Sequence, residues 1–139
     1  VTKVLFVCVR NGGKSQMAAG LMGKYAGPGL EVDSAGTDPG TKLNRQSVQA
    51  LEEVGVDLSG QTPKALTPDL IRGADLVVVL GREARVEPVD GTPVVTWETD
   101  EPSLRGIEGM ERMRLIRDDI TARVKALADQ LAQESAPSS

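Results

Sequence analysis

The 139-residue chain predicts an α/β fold, a single three-layer domain with a four-stranded parallel sheet flanked by helices. Three observations carry that prediction. Short continuous apolar runs such as VLFVCV and LVVVL have the composition of strands covered on both faces. Between such runs lie segments whose apolar residues recur every three or four positions, the spacing of a helix with one buried face. The two kinds of segment alternate, which joins successive strands in parallel through right-handed crossovers.

The first strand is KVLFVC (3–8), rich in β-formers, and it runs directly into a glycine-containing loop. From Ser15, residues Met17, Ala18, Leu21, Met22 and Tyr25 recur at helical spacing until GPG (27–29) stops the helix. LEVDSAG (30–36) alternates as a second strand. Asn44 is placed to cap a helix that carries Val48, Leu51 and Val54 on one face and ends at Gly55. Thr67 before Pro68 is a helix start, with Gly73 as the stop. DLVVVLG (75–81) is the third strand and TPVVTW (92–97) a shorter fourth. The stripe Met110, Met113, Ile116, Ile120, Val124, Leu127 and Leu131 then predicts a helix of about six turns. The domain accordingly spans 1–132, and QESAPSS (133–139) is expected to fray into a polar tail.

Sixteen basic against twenty acidic residues give a net charge of -4, so no overall basic field exists to hold nucleic acid or an anionic membrane. An anion site in this chain must be local. No apolar run approaches the roughly 20 residues of a membrane span, and the chain opens on a strand without the pattern of a secretory signal, so a soluble protein is expected. One cysteine allows no internal disulfide, which suits a reducing cytoplasm. With that one cysteine and no histidine there is no basis for a soft-metal site, and no bound cofactor is expected.

The loop VLFVCVRNGGKSQM (4–17) fits two phosphate-binding patterns, each with one residue out of place. As a nucleotide P-loop, G-x4-G-K-[ST], it has Cys8 where the first glycine belongs. As a cysteine-phosphatase loop, C-x5-R-[ST], it has Lys14 where the arginine belongs. A nucleotide site also needs a second strand ending in an acid for magnesium, whereas DLVVVLG ends in glycine and Glu83 comes late. The second pattern is therefore preferred, with Cys8 at its centre.

A strand leading through such a turn into a helix points backbone N–H groups at one spot, backed by the positive end of the helix. Gly12 and Gly13 let the backbone curl without Cβ clashes, Asn11 tolerates a left-handed conformation, Lys14 adds charge and Ser15 a hydroxyl. A sulfur beside these donors is in surroundings that favour the reactive thiolate, and Ser15 is positioned to donate a hydrogen bond to it. A lone cysteine closing a buried strand is by default an inert core residue. Asn11, the two glycines and Lys14-Ser15 in register overturn that default. Val9, Arg10, Asn11, Gly12, Gly13, Lys14 and Ser15 are thus the expected oxyanion-binding residues, with Arg10 open to the plainer reading of a solvated loop charge.

The stretch VLFVCVRNGGKSQMAAGLM, with DSAGT (33–37) and ERMRLIRDDITARV (111–124), resembles the low-molecular-weight phosphotyrosine phosphatase superfamily over about residues 3–130. Within it the pattern V-L-F-V-C-x-x-N-x-x-[RK]-S-Q-M-A is similar to that of single-domain arsenate reductases. The resemblance implies that Cys8 attacks the oxyanion, that the amides of 9–14 and the Lys14 side chain hold it, and that Ser15 and Asn11 order the loop. It also implies an acid on a later loop, usually an aspartate before proline. That loop reads WETDEPS, which leaves Asp100 and Glu101 both open as the proton donor.

Two departures stand out. Lys14 gives up a planar bidentate fork for a point charge, which lowers oxyanion affinity unless Arg10 restores some of it. The chain also lacks the resolving cysteines through which thioredoxin-linked arsenate reductases pass oxidation along. An external thiol must take that part, and the NGGKS loop looks like that of enzymes that join arsenate to mycothiol and leave a mycoredoxin to release arsenite. The expectation is a cytoplasmic arsenate reductase of the thiol-transferase kind, with arsenate as substrate, phosphate as competitor and mycothiol as co-substrate.

A phosphotyrosine phosphatase is the alternative, since attack on phosphorus uses the same nucleophile, oxyanion ring and acid. Against it, of Phe6, Tyr25 and Trp97 only Trp97 is placed to meet an aromatic substrate, and its plainer role is a strand-end core residue. A non-catalytic oxyanion sensor is a third reading, separated from both by whether Cys8 alkylates at mildly acidic pH. Arg112, Arg114 and Arg117 with Asp118 and Asp119 read as a solvated helix face, and DSAGTDPGTKLNRQ (33–46), polar and glycine-bearing, is expected as a wall near the site, although no residue in it declares a role.

Overall fold

The computed structural model describes residues 2–135. Its strands are β1 (Thr2–Cys8), β2 (Leu30–Gly36), β3 (Leu76–Leu80) and β4 (Val94–Trp97), and its helices α1 (Lys14–Tyr25), α2 (Arg45–Glu52), α3 (Pro68–Arg72) and α4 (Gly109–Ser135). All strand pairs are parallel, in the order β2-β1-β3-β4. The chain leaves β1 to one side for β2 and returns to its other side for β3, so the sheet's topological switch point lies at the carboxyl end of β1, where Cys8 sits opposite Gly36.

Alternation along β1 sends its side chains to two cores. Val4 and Phe6, with Val78 and Leu80, pack under Met17 and Leu21 of α1 and Ile116 and Ile120 of α4. Leu5 and Val7, with Val77 and Val79, face the other way onto Ala35 and Ile71. This second layer is thin, because α3 has only five residues. Leu21 is fully buried, so Leu21→Ala would cost about 2 to 5 kcal/mol and unseat the helix that carries Lys14 and Ser15.

The capping readings hold in detail. Asn44 accepts from the Ser47 N–H and Thr67 from the Leu70 N–H, with Pro68 at the first helical position. Trp97 packs against Phe6 with ring centroids 5.7 Å apart, a core partner and not a substrate platform. Two expectations need correction. The last helix continues through Ser135 into the segment read as a tail, because Ala, Gln and Glu propagate a helix even without an apolar face, and only 136–139 of that tail lie outside the described residues. The arginines of α4 are not a merely solvated face: Arg114 and Arg117 both bind Glu53 at the end of α2, and Arg117 also donates to the Ala50 carbonyl. Those contacts bolt α2 to α4.

Candidate oxyanion site

The loop after β1 is organised by where its carbonyls go. Those of Cys8, Val9, Arg10 and Gly12 accept from the N–H groups of Thr37 (3.1 Å), Asp38 (2.8 Å), Gly40 (3.0 Å) and Asn44 (2.6 Å). The Asn11 carbonyl accepts from Gln16 Nε2 at 3.2 Å and that of Gly13 from the Met17 N–H at 2.9 Å. Six consecutive carbonyls are thus turned away from the loop's inner face. Among the described residues, the N–H groups of Arg10, Gly12, Gly13 and Lys14 donate to no protein acceptor, while that of Asn11 reaches Cys8 Sγ at 3.3 Å. Helix α1 also begins without a side-chain cap, which leaves its positive end directed at the same place.

The segment 37–44, which the sequence placed as a wall near the site without naming a residue, is the cradle of the loop. Its close approach explains two glycines. A Cβ on Gly36 would lie 2.6 Å from the Val9 carbonyl oxygen, and one on Gly12 would lie 2.9 Å from that of Lys42. Gly12 is required because a Cβ would clash, as the sequence reading expected, and the group it would meet is the cradle. The left-handed position is Asn11, at φ 54°.

Asn11 is fully buried and acts as a hub. Its Nδ2 donates to Ser15 Oγ at 2.7 Å, and its Oδ1 accepts from the Lys64 N–H at 3.0 Å and from Gln16 Nε2 at 3.2 Å. Ser15 Oγ lies 2.9 Å from Cys8 Sγ. With an acceptor position of Ser15 taken by Asn11, its hydroxyl hydrogen is free to point at the sulfur. Neither Gln16 nor Lys64 is a site residue in the sequence reading; Gln16 reads there as an ordinary helix residue, and Lys64 acts through its backbone N–H, which no side-chain pattern reports.

Lys14 does not stand free. Its ammonium group pairs with the Glu101 carboxylate, both side chains being partly buried. Glu101 thereby reaches the loop from the start of a 3₁₀ turn, Pro102–Arg105. Asp100 is held elsewhere. Arg105 grips its carboxylate in a fork, at 2.7 and 3.1 Å, and its backbone N–H donates to Asp119 of α4. The Arg105 hydrogen bonds hold the Asp100 carboxyl below the usual carboxylate range. Arg10 turns outward to Asp38, at 3.1 Å, on the rim of the loop.

Residues 3–136 match the model of the low molecular weight phosphotyrosine protein phosphatases. The chain belongs to this family. An arsenate reductase of Brevibacillus brevis is 39% identical over 129 residues, covering 91% of this chain and 93% of that one. Among solved structures, a thioredoxin-dependent arsenate reductase of Corynebacterium glutamicum superposes with a TM-score of 0.81 at 33% identity, covering 97% of this chain. This chain spans 64% of the length of that protein. An arsenate reductase solved in the phosphate-binding state superposes with a TM-score of 0.78 at 29% identity, covering 94% of this chain and 98% of that one.

In this member of the family two clefts flank the Lys14–Glu101 pair. One, of about 650 Å³, lies between the turn after β3 and the 98–105 loop and mixes signs, with Arg82 and Arg105 among Glu83, Glu98, Asp100 and Glu101. The other, of about 380 Å³, runs from the oxyanion loop between the starts of α2 and α4. No group of three metal-ligating side chains occurs among the described residues, and no helix there is long and apolar enough to cross a membrane.

Proposed function

We propose that this member of the family is an arsenate reductase that passes arsenic to an external low-molecular-weight thiol. The observation that carries the proposal is the Cys8 sulfur in the reach of Ser15 Oγ and the Asn11 N–H, within a loop whose N–H groups at Arg10, Gly12, Gly13 and Lys14 have no acceptor among the described residues. Arsenate reductases among the relatives, and one of them solved in a phosphate-binding state, support the oxyanion. The amides of Val9 to Lys14 and the Lys14 ammonium would hold it. Cys8 is the only thiol in the chain, so the second thiol comes from another molecule.

In the chemical step a thiolate, that of Cys8 or of the external thiol, forms a sulfur–arsenic(V) bond while one arsenate oxygen departs, taking up a proton and leaving as water. A second thiol then attacks that sulfur. A disulfide forms, the pair of the sulfur–arsenic bond stays on arsenic, and As(V) becomes As(III). Glu101 is the better candidate for the proton donor, because it meets the loop through Lys14 whereas Asp100 is kept ionised by Arg105. The likeness of the NGGKS loop brings mycothiol forward as the thiol and a mycoredoxin as the agent of arsenite release. Incubation with arsenate in mycothiol–mycoredoxin, glutathione and thioredoxin systems should consume reductant in at least one. No turnover above blank in any of them would overturn the proposal.

A tyrosine phosphatase remains the second reading, since the family loop serves phosphorus equally well. The aromatic residues argue against it: Phe6 and Trp97 are packed together in the core, and Tyr25 lies at the far end of α1 beside Lys24 and Lys125. Efficient hydrolysis of an aryl phosphate, abolished by Cys8→Ser, would reverse the ranking.

A further inference from the structure

The smaller cleft has a composition that the oxyanion loop does not account for. Arg10, Lys14, Lys42 and Arg112 line it together with Ser47 and Met113, and no carboxylate is among its lining residues. Two of these cations are already paired, Arg10 with Asp38 and Lys14 with Glu101, so the charge left to the cleft is that of Lys42 and Arg112. Arg114, Arg117 and Arg123 of α4 are each paired with a carboxylate. Arg112 pairs with none among the described residues, and its Nε is buried without a hydrogen-bond partner. A buried guanidinium nitrogen left unpaired costs free energy that an anion would recover. Lys42 is exposed and likewise makes no ion pair among the described residues. Because Gly12, Gly13 and Lys14 line the cleft as well as the loop, a molecule lying in it would have one end at the reacting oxyanion.

We infer that this cleft binds the anionic part of the second substrate, so that the thiol it selects carries carboxylates. The inference rests on the external-thiol reading and restricts it, setting charge against the sequence likeness that favours the uncharged sugar thiol mycothiol. Arg112 and Lys42 are the recognition groups, and the thiol sulfur would lie towards Cys8.

The test uses the full chain and S-methylglutathione, which has two carboxylates and cannot react. It should bind, and its diethyl ester about tenfold more weakly. Lys42→Gln and Arg112→Gln should each weaken S-methylglutathione by about threefold to tenfold, a larger loss than either causes to phosphate at the loop. Lys42 is exposed and outside the core, so its variant tests the cleft even if Arg112→Gln disturbs α4. Equal affinity for acid and ester, or no loss in either variant, overturns the inference. The two proposals fail separately: binding of S-methylglutathione without arsenate turnover leaves the cleft and removes the reductase. Turnover with mycothiol whose KM is untouched by both substitutions leaves the reductase and removes the cleft.

Discussion

Replacement of Asn11 tests whether the loop is held by its own hydrogen bonds or merely by the sheet beneath it. Asn11→Ala removes the donor to Ser15 Oγ, a net loss of about 1 kcal/mol. It also strips the Lys64 N–H of its acceptor, and an unpaired, partly buried N–H costs about 1 to 3 kcal/mol. Gln16 keeps the Asn11 and Thr62 carbonyls, so its loss is small. Alanine at φ 54° adds about 1 kcal/mol that asparagine largely escapes. The sum is about 3 to 5 kcal/mol, a large share of a typical domain stability of about 5 to 15 kcal/mol. Urea unfolding should show the midpoint falling at unchanged slope. Asn11→Gly deletes the same bonds without the backbone penalty, so it should lie about 1 kcal/mol above the alanine variant. Both should also weaken phosphate binding. An alanine variant within about 0.5 kcal/mol of the parent, or a glycine variant no better than alanine, would refute the hub.

Glu53, gripped by Arg114 and Arg117, has its pKa lowered from the ordinary 4.5 to about 2. Its stabilisation is therefore fully present above about pH 4.5 and is lost as the pH falls through about 2; Glu53→Gln should be less stable than the parent at neutral pH and converge with it in acid unfolding curves. Gly36→Ala should displace the loop, since a Cβ would meet the Val9 carbonyl at 2.6 Å; the expected result is poorer phosphate binding together with reduced stability, and parental phosphate affinity would contradict it. Glu101→Gln should lower turnover by about 10² to 10⁴ if Glu101 is the proton donor, with Asp100→Asn affecting it less; the opposite order would transfer the role to Asp100.

The parts of the molecule legible in the sequence are those whose cause is local. The strands announce themselves by unbroken apolar runs, because β1 and β3 are covered on both faces. Cys8, Asn11 and Ser15 are legible because one turn of chain brings them together, and the same loop pattern would be read from any sequence that contained it. What escaped is what the backbone does at a distance. The cradle of 37–44 works through main-chain N–H groups, so its polar, glycine-bearing sequence marks a wall near the site but not which groups do the holding. The α4 arginines were misjudged for a related reason: their partner Glu53 lies more than sixty residues earlier, and only the packing of α2 on α4 makes the contact.

The carboxylates show where such reasoning stops and why. Asp100 and Glu101 are adjacent, equally acidic by type and equally close to the proline, so no pattern in WETDEPS separates them. The separation comes from two cations and an acid. Asp119 of α4 holds the Asp100 N–H, Arg105 holds its carboxylate, and Lys14, launched from the oxyanion loop by α1, takes Glu101. Arg123 in turn fixes Asp119 at 3.3 Å and the Glu98 carbonyl at 2.8 Å, so the acid loop is tied to α4 at two points. The consequence bears on Lys14 itself. An arginine there would span oxyanion and carboxylate with one planar fork, whereas a lysine shares a single charge between them. An arriving oxyanion therefore competes with Glu101 for the lysine. On this account Lys14→Arg, whose fork can reach both partners at once, tightens phosphate binding, a change that titration calorimetry would read and that equal affinity in the two proteins would refute.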